Sequence, residues 1–131
     1  MEKSDIKQVI CIRRDLNMRK GKMVAQGSHA SMAFITKRAS FDDNYMFSAL
    51  QNQDEAEKWM KEGFTKICVS VDSEQELMEK YNQAMSAGLT VELIIDSGFT
   101  EFSGVPTKTC IAIGPNLSSE IDEITGNLKL L

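Results

Sequence analysis

The chain has 131 residues, 42% of them apolar and 26% charged, with a net charge of −4. That is the profile of one ordinary globular domain with enough chain for a real core. It excludes a disordered, collagen-like or membrane-spanning chain, because no stretch approaches the roughly 20 apolar residues a spanning helix needs. The polar start Met1-Glu2-Lys3-Ser4-Asp5 is unlike a secretion signal, so a cytoplasmic location is expected. Cys11, Cys68 and Cys110 are odd in number, widely separated and set in apolar runs. They read as small buried hydrophobes in a reducing compartment, not as a disulfide framework or zinc site. With a single histidine, His29, a histidine-rich metal centre is excluded.

The charge is unevenly spread. Residues 1–38 hold nine Lys or Arg against three acids, a net +6, and the remainder carries −10. A basic end on an acidic body is what a local phosphate-binding surface needs, although a solvated charged face gives the same pattern.

In chain order, residues 6–13 read as a first strand. Val9-Ile10-Cys11-Ile12 is a continuous apolar run, as expected of a strand covered on both faces. Residues 20–37 read as a helix. Lys22, Gln26 and His29 recur at i, i+4 and i+7 on one face of it. Met23, Val24, Gly27, Ala30, Ser31, Phe34 and Ile35 form the neighbouring apolar or small stripe that packs on a sheet. Residues 39–53 read as a polar connection with a helical turn at 45–50, where Met46, Phe47 and Leu50 share a face. Asp54 is expected to cap a helix over residues 55–62 that Gly63 ends, with Trp59 facing the core.

A second strand follows at residues 66–71 with Ile67, Val69 and Val71 alternating. Ser73 and Glu76 have capping-box spacing, opening a helix with Leu77, Tyr81, Ala84 and Met85 on one face, and Gly88 stands at its end. The third strand, residues 90–95, ends in Asp96, and a loop follows through residue 107. The fourth strand, residues 108–113, closes at Gly114-Pro115, and a last helix covers residues 119–124. This alternation predicts one α/β domain over residues 1–131: a mixed four-stranded sheet with helices on both faces, in three layers. Ligands gather beyond the carboxyl ends of strands in such sheets, so Lys22, Gln26, His29, Asp96 and nearby threonines are expected to form the site. A Lys–Asp pair can orient a water or a substrate oxygen. There is no GxSxG, phosphate-binding loop or dinucleotide-binding glycine fingerprint.

Four blocks carry a family resemblance. They are Asp15-Leu16-x-Met18-x-x-Gly21-Lys22-x-x-Ala25-Gln26-x-Ser28-His29-Ala30, Leu93-Ile94-x-Asp96-x-Gly98-x-Thr100, residues 109–115, and Ile121-Asp122-x-x-Thr125-Gly126-x-Leu128-Lys129-Leu130. Together, and in this order, they resemble the type-2 peptidyl-tRNA hydrolases, with residues 36–62 matched weakly. The resemblance implies hydrolysis of the ester joining a peptide to the terminal ribose of tRNA, without metal or other cofactor, by a homodimer. Residue by residue it implies a catalytic set of Lys22, His29, Asp96, Thr100 and Thr109, with Gln26 in support.

On that reading Asp96 positions or activates water, helped by Thr100 or Thr109, and Lys22 stabilises the oxyanion or holds the terminal phosphate. His29 shuttles a proton, as an imidazole can, or merely fixes the helix packing. Arg13, Arg14, Arg19 and Lys20 are expected to bind tRNA phosphates without reading sequence. Three departures from the family pattern stand out: Gly27 in place of a larger residue, Ser97 in place of alanine, and a loop one residue longer before Thr109. The longer loop makes Thr107 a competitor of Thr109 for the threonine position, with the Cys110 that follows favouring Thr109. It also leaves a second function open, a non-catalytic RNA- or protein-binding module on the same fold.

Overall fold

The apolar run Val9–Ile12 fixes the centre of the molecule. In the computed structural model, which describes residues 5–42, 45–48 and 50–131, it lies in β1 (Ile6–Arg13). Then follow α1 (Lys20–Thr36), β2 (Ala39–Asp42), β3 (Tyr45–Ser48), α2 (Gln53–Lys61) and β4 (Lys66–Val71). After them come α3 (Glu74–Ser86), β5 (Val91–Asp96), β6 (Thr107–Leu117) and α4 (Ser118–Thr125). The main sheet has the order β4-β1-β6-β5. β1 is parallel to β4 and antiparallel to β6, and β5 is antiparallel to β6. This is the mixed four-stranded α/β arrangement expected from the alternation of strands and helices.

Alternate residues of β1 feed opposite faces. Val9 and Cys11 pack with Leu77 and Ala84 of α3 and Ile121 and Ile124 of α4. Ile10 and Ile12 pack with Ala30 of α1 and with Met18, Cys110 and Ala112. Ile6, Phe34, Ala56 and Trp59 join α1 and α2 in a third cluster, with Trp59 1% exposed. The α3 ends read as the sequence implies. Ser73 Oγ accepts from the Glu76 N–H, and Gly88, at φ +73, lets Leu89 N–H reach the Ala84 carbonyl while Gly88 N–H reaches Met85.

Five expectations are corrected. Residues 45–48 form a strand paired with β2, not a helical turn; residue 49 lies outside the described residues. The α2 helix starts at Gln53, behind a left-handed Asn52, and Asp54 is in its first turn. Asn52 gives no side-chain cap because its amide reaches Gly88 O and Thr90 Oγ1, tying α2 to the start of β5. Val24, assigned to the packed stripe of α1, is 69% exposed, whereas Ala33 is buried there. Cys68 is exposed on β4; only Cys11 and Cys110 are buried.

The fifth correction concerns β6, which runs past Gly114-Pro115 to Leu117. A proline inside a central strand removes a ladder hydrogen bond, and strands tolerate this at bulges. The register with β1 shifts here, between Lys7 and Val9. The wholly buried Gln8 fills the gap: its amide donates to Gly114 O and Ser31 O, and its carbonyl accepts from Ser31 Oγ. Gly114 is required, since at φ +103 an added Cβ would lie 2.5 Å from Lys7 O. The sequence also gave no hint that residues 129–131 follow β4, where Ser70 N–H reaches Lys129 O and Leu131 N–H reaches Cys68 O.

Gly27 faces Ile12 and Ile10 across the α1–sheet contact, where an added Cβ would meet them at 3.7 and 3.9 Å. Those are ordinary contact distances, so close packing does not demand glycine. Gly27→Ala is expected to raise stability by about 0.5–1 kcal/mol through helix propensity. Urea denaturation checks this, and a loss of stability would show that the interface cannot accept the methyl group.

Candidate functional site

Two elements meet at the site. β5 ends at Asp96, and the first turns of α1 carry Lys22 and Gln26 past that end. The turn before α1 uses a left-handed Asn17, and buried Met18 anchors it to the sheet. Lys22 Nζ donates to Asp96 Oδ1 at 2.8 Å and to Thr100 Oγ1 at 2.6 Å. Gln26 Nε2 donates to the same Asp96 oxygen at 3.2 Å, and Gly98 N–H donates to Oδ2 at 2.9 Å. The Lys22 and Asp96 side chains are each 12% exposed. The hydrogen bond from Lys22 holds the Asp96 carboxyl below the usual carboxylate range, with Gly98, the Lys22 charge and Gln26 adding to it and partial burial opposing.

The loop after β5 is wound around Gly98. Its carbonyl accepts from the N–H groups of Phe102 and Gly104. At φ +88 an added Cβ would sit 2.1 Å from Val105 O, so only glycine permits this path. The winding sets Thr100 on Lys22 and brings the Phe102 ring to 5.8 Å from the ammonium.

Thr109 enters from β6. The register of β5 on β6 shifts between Ile94 and Ile95, so that Cys110 and Lys108 oppose consecutive β5 residues and Thr109 is extra. Such a bulge re-aims a side chain. The wholly buried Thr109 hydroxyl donates to Gln26 Oε1 at 2.5 Å. That fixes the Gln26 amide with its NH2 toward Asp96. The chain of contacts therefore runs Thr109, Gln26, Asp96, Lys22, Thr100, with Asp96 at its middle and Gln26 joining it to Thr109.

Thr107, the rival threonine, donates to Val105 O within its own loop. His29 is exposed; it lines a cavity of about 440 Å3 with Gln26 and Asp96. The basic residues divide into two pairs. Arg13 is bound to Asp15 through Nε and Nη2 and to Lys108 O through Nη1. Arg14 is paired with Asp72. Arg19 is 89% exposed with Glu101 at 3.6 Å, and Lys20 is exposed. Arg13 is thus engaged within the fold, Arg14 forms an ion pair at the surface, and Arg19 and Lys20 remain outward beside the site. Burial pushes the Cys11 thiol up to about 12 and Cys110 to about 11, so neither is a nucleophile. Among the described residues no cluster of three His, Cys, Asp or Glu suits a metal ion. Among them, too, no helix is long and apolar enough to cross a membrane.

The family described as Peptidyl-tRNA hydrolase PTH2 matches residues 6–131. A Methanocaldococcus jannaschii protein named peptidyl-tRNA hydrolase is 42% identical over 126 residues, covering 96% of this chain and all of that one. A Methanothermobacter thermautotrophicus protein of the same name is 40% identical with the same coverage. One from Halobacterium salinarum is 39% identical over 95% of this chain and 99% of its own. A solved Agrobacterium protein of unknown function superposes with a TM-score of 0.59 at 13% identity, covering 98% of both chains. That likeness speaks for the fold alone.

The depressed Asp96 carboxyl links the site to stability. A carboxylate with a lowered folded-state pKa contributes stability that is present above its unfolded value, about 3.9, and lost as pH falls through the folded one. Asp96→Asn is therefore expected to destabilise the protein at pH 7 and to differ progressively less from the native chain below about pH 4. Urea midpoints of both proteins between pH 7 and pH 3 measure this, and a gap that stays constant would show that the ion pair contributes nothing.

Proposed function

The chain belongs to the peptidyl-tRNA hydrolase PTH2 family and hydrolyses peptidyl-tRNA; on that premise we propose that Asp96, Lys22 and Thr100 act on the ester, with Gln26 and Thr109 positioning them. The observation that supports this is the five-residue chain of hydrogen bonds at the end of β5. Water is the nucleophile. Its oxygen bonds to the ester carbonyl carbon, and one of its protons is accepted at Asp96 Oδ2, where Gly98 N–H leaves a lone pair free. A carboxylate held this acidic is a weak base, so its main work is to orient the water. Lys22 carries the ammonium that meets the developing oxyanion. Collapse of the tetrahedral intermediate breaks the bond to the ribose oxygen, which takes up the proton; Thr100, accepting from Lys22, keeps its own hydrogen free to donate there. The products are a peptide carboxylate and free tRNA.

Lys22 supplies the positive charge, so the reading calls for no metal or other cofactor, and activity is expected to survive chelator. Arg19 and Lys20 are assigned to the phosphates of the acceptor end, with Arg13 and Arg14 in a supporting structural role. His29, on the cavity wall, is assigned to substrate contact or proton exchange with solvent. The homodimer is supported by Val24 and Met32, 69% and 57% exposed, which flank exposed Ser28 at four-residue spacing on the outer face of α1. We place the reaction in the cytoplasm.

Lys22→Ala and Asp96→Ala are each expected to lower kcat/KM for an N-acetyl-aminoacyl-tRNA by about 100-fold or more. Thr109→Val is expected to cost about tenfold, the value of one net hydrogen bond acting through Gln26. Hydrolysis assays on variants shown to be folded by circular dichroism test this; near-native turnover by Asp96→Ala would sink the assignment. Arg19→Ala with Lys20→Ala is expected to raise KM and to flatten its dependence on salt, because fewer counterions are released.

A further inference from the structure

β5 is the edge strand of the main sheet: it pairs with β6 on one side, and among the described residues no strand pairs with its other side. The cavity beside the site runs along that open edge. Its walls are Gln26 and His29 of α1 and Leu93, Ile95 and Asp96 of β5, with Lys37 at its far end. Lys37 Nζ donates to the Leu93 carbonyl at 2.9 Å. Lys37 stands just past the end of α1 and lines the cavity, so the Leu93 carbonyl faces the cavity and not β6. Residues two apart on a strand present the same backbone edge, which puts Ile95 alongside Leu93, with Asp96 next in sequence. Ile95 is 56% exposed.

We propose that this groove receives the peptide part of the substrate as an added strand on the open edge of β5. The inference rests on the hydrolase reading above. The groove and the site are continuous, since Gln26 and Asp96 belong to both. Once the ester carbonyl stands at Asp96, the residues upstream of it must leave in some direction. The side toward Arg19 and Lys20, at the start of α1, is basic and suits phosphate; the groove leads the other way, along the helix to Lys37. Asp96 ends β5 and the peptide's esterified carboxyl also ends its chain, so the peptide runs parallel to β5. From Leu93 to Asp96 is about 10 Å at 3.3 Å per residue, room for three extended residues.

Backbone pairing of this kind gives affinity without reading side chains. That suits an enzyme whose substrates carry arbitrary peptide sequences. Glu92 Oε2, 3.3 Å from Lys37 Nζ, retains that ammonium when a peptide N–H displaces it from the Leu93 carbonyl.

The test uses the native protein and one purified tRNA charged with acetylglycine, acetyl-triglycine, or acetyl-triglycine carrying N-methylglycine at one position at a time. The triglycyl ester is expected to have a kcat/KM about tenfold above the acetylglycyl ester, the value of one or two backbone hydrogen bonds. N-methylation is expected to abolish that gain at one of two adjacent positions and to leave it intact at the other, the period of two that a strand imposes. Equal cleavage of both parent esters would overturn the groove assignment and leave the hydrolase reading standing. A length gain that methylation lowers equally everywhere, or nowhere, would overturn the added strand, as would occupation of this edge by a second copy of the chain. No cleavage of any ester by folded protein would overturn the hydrolase reading and this inference with it.

Discussion

The ammonium of Lys22 and the carboxylate of Asp96 face each other at 2.8 Å with little of either side chain left in water. A charge pair withdrawn this far from solvent has to be supplied with every hydrogen bond it gave up, or the loss of hydration exceeds the attraction. Asp96 accordingly accepts from Lys22, Gln26 and Gly98 together. Each of those donors then makes a demand of its own. Gly98 must take a conformation open only to glycine, Gln26 must be held in one amide orientation, and Lys22 must leave a helix at the right turn. Much of the local structure around the end of β5 follows from meeting those demands.

The same device appears twice along β6. At each of its two register shifts a buried glutamine closes the gap. Gln8 satisfies Gly114 O beside the shift at Lys7 and Val9. Gln26 takes the hydroxyl of Thr109 beside the shift at Ile94 and Ile95. A carboxamide suits this because it donates and accepts at once and carries no charge to bury. The first instance serves the strand alone. The second differs only in that the amide end reaches a carboxylate on the cavity wall, and so an element of sheet repair becomes part of the candidate site.

This explains which features were legible in the sequence. Strand β1 was visible because four consecutive apolar residues have few alternatives, and the ends of α3 because Ser73, Glu76 and Gly88 act on their near neighbours. Lys22 and Gln26 were placed on one face by helix geometry alone. Asp96 was found because strand ends collect ligands, with the family resemblance to name it. The pairing of β2 with β3 was missed since residues 39–42 and 45–48 are polar and apolar in no clean alternation. Arg14 looked free because Asp72, which engages it, is 58 residues away. Thr109 was preferred to Thr107 in the sequence only through the Cys110 that follows it, because the bulge that turns Thr109 toward Gln26 depends on the partner strand and has no local sequence signature.

The arrangement also bears on what bond it can break. It holds no activated serine, and its buried thiols are too weakly acidic to attack. In the proposed mechanism water is the nucleophile, oriented by the Asp96 carboxylate and met by the Lys22 ammonium. One preorganised donor to an oxyanion is worth about 2.7–4 kcal/mol, and a general base well below neutrality adds little to that. Such a site is matched to an ester, whose leaving oxygen departs as a good leaving group, and not to an amide, whose nitrogen must be protonated before it leaves. His29 stands on the exposed wall of the cavity, outside the hydrogen-bond chain that holds Asp96. On the proposed roles the restraint is chemical rather than steric: the ester to ribose lies within reach of such a site, and the peptide's amide bonds do not.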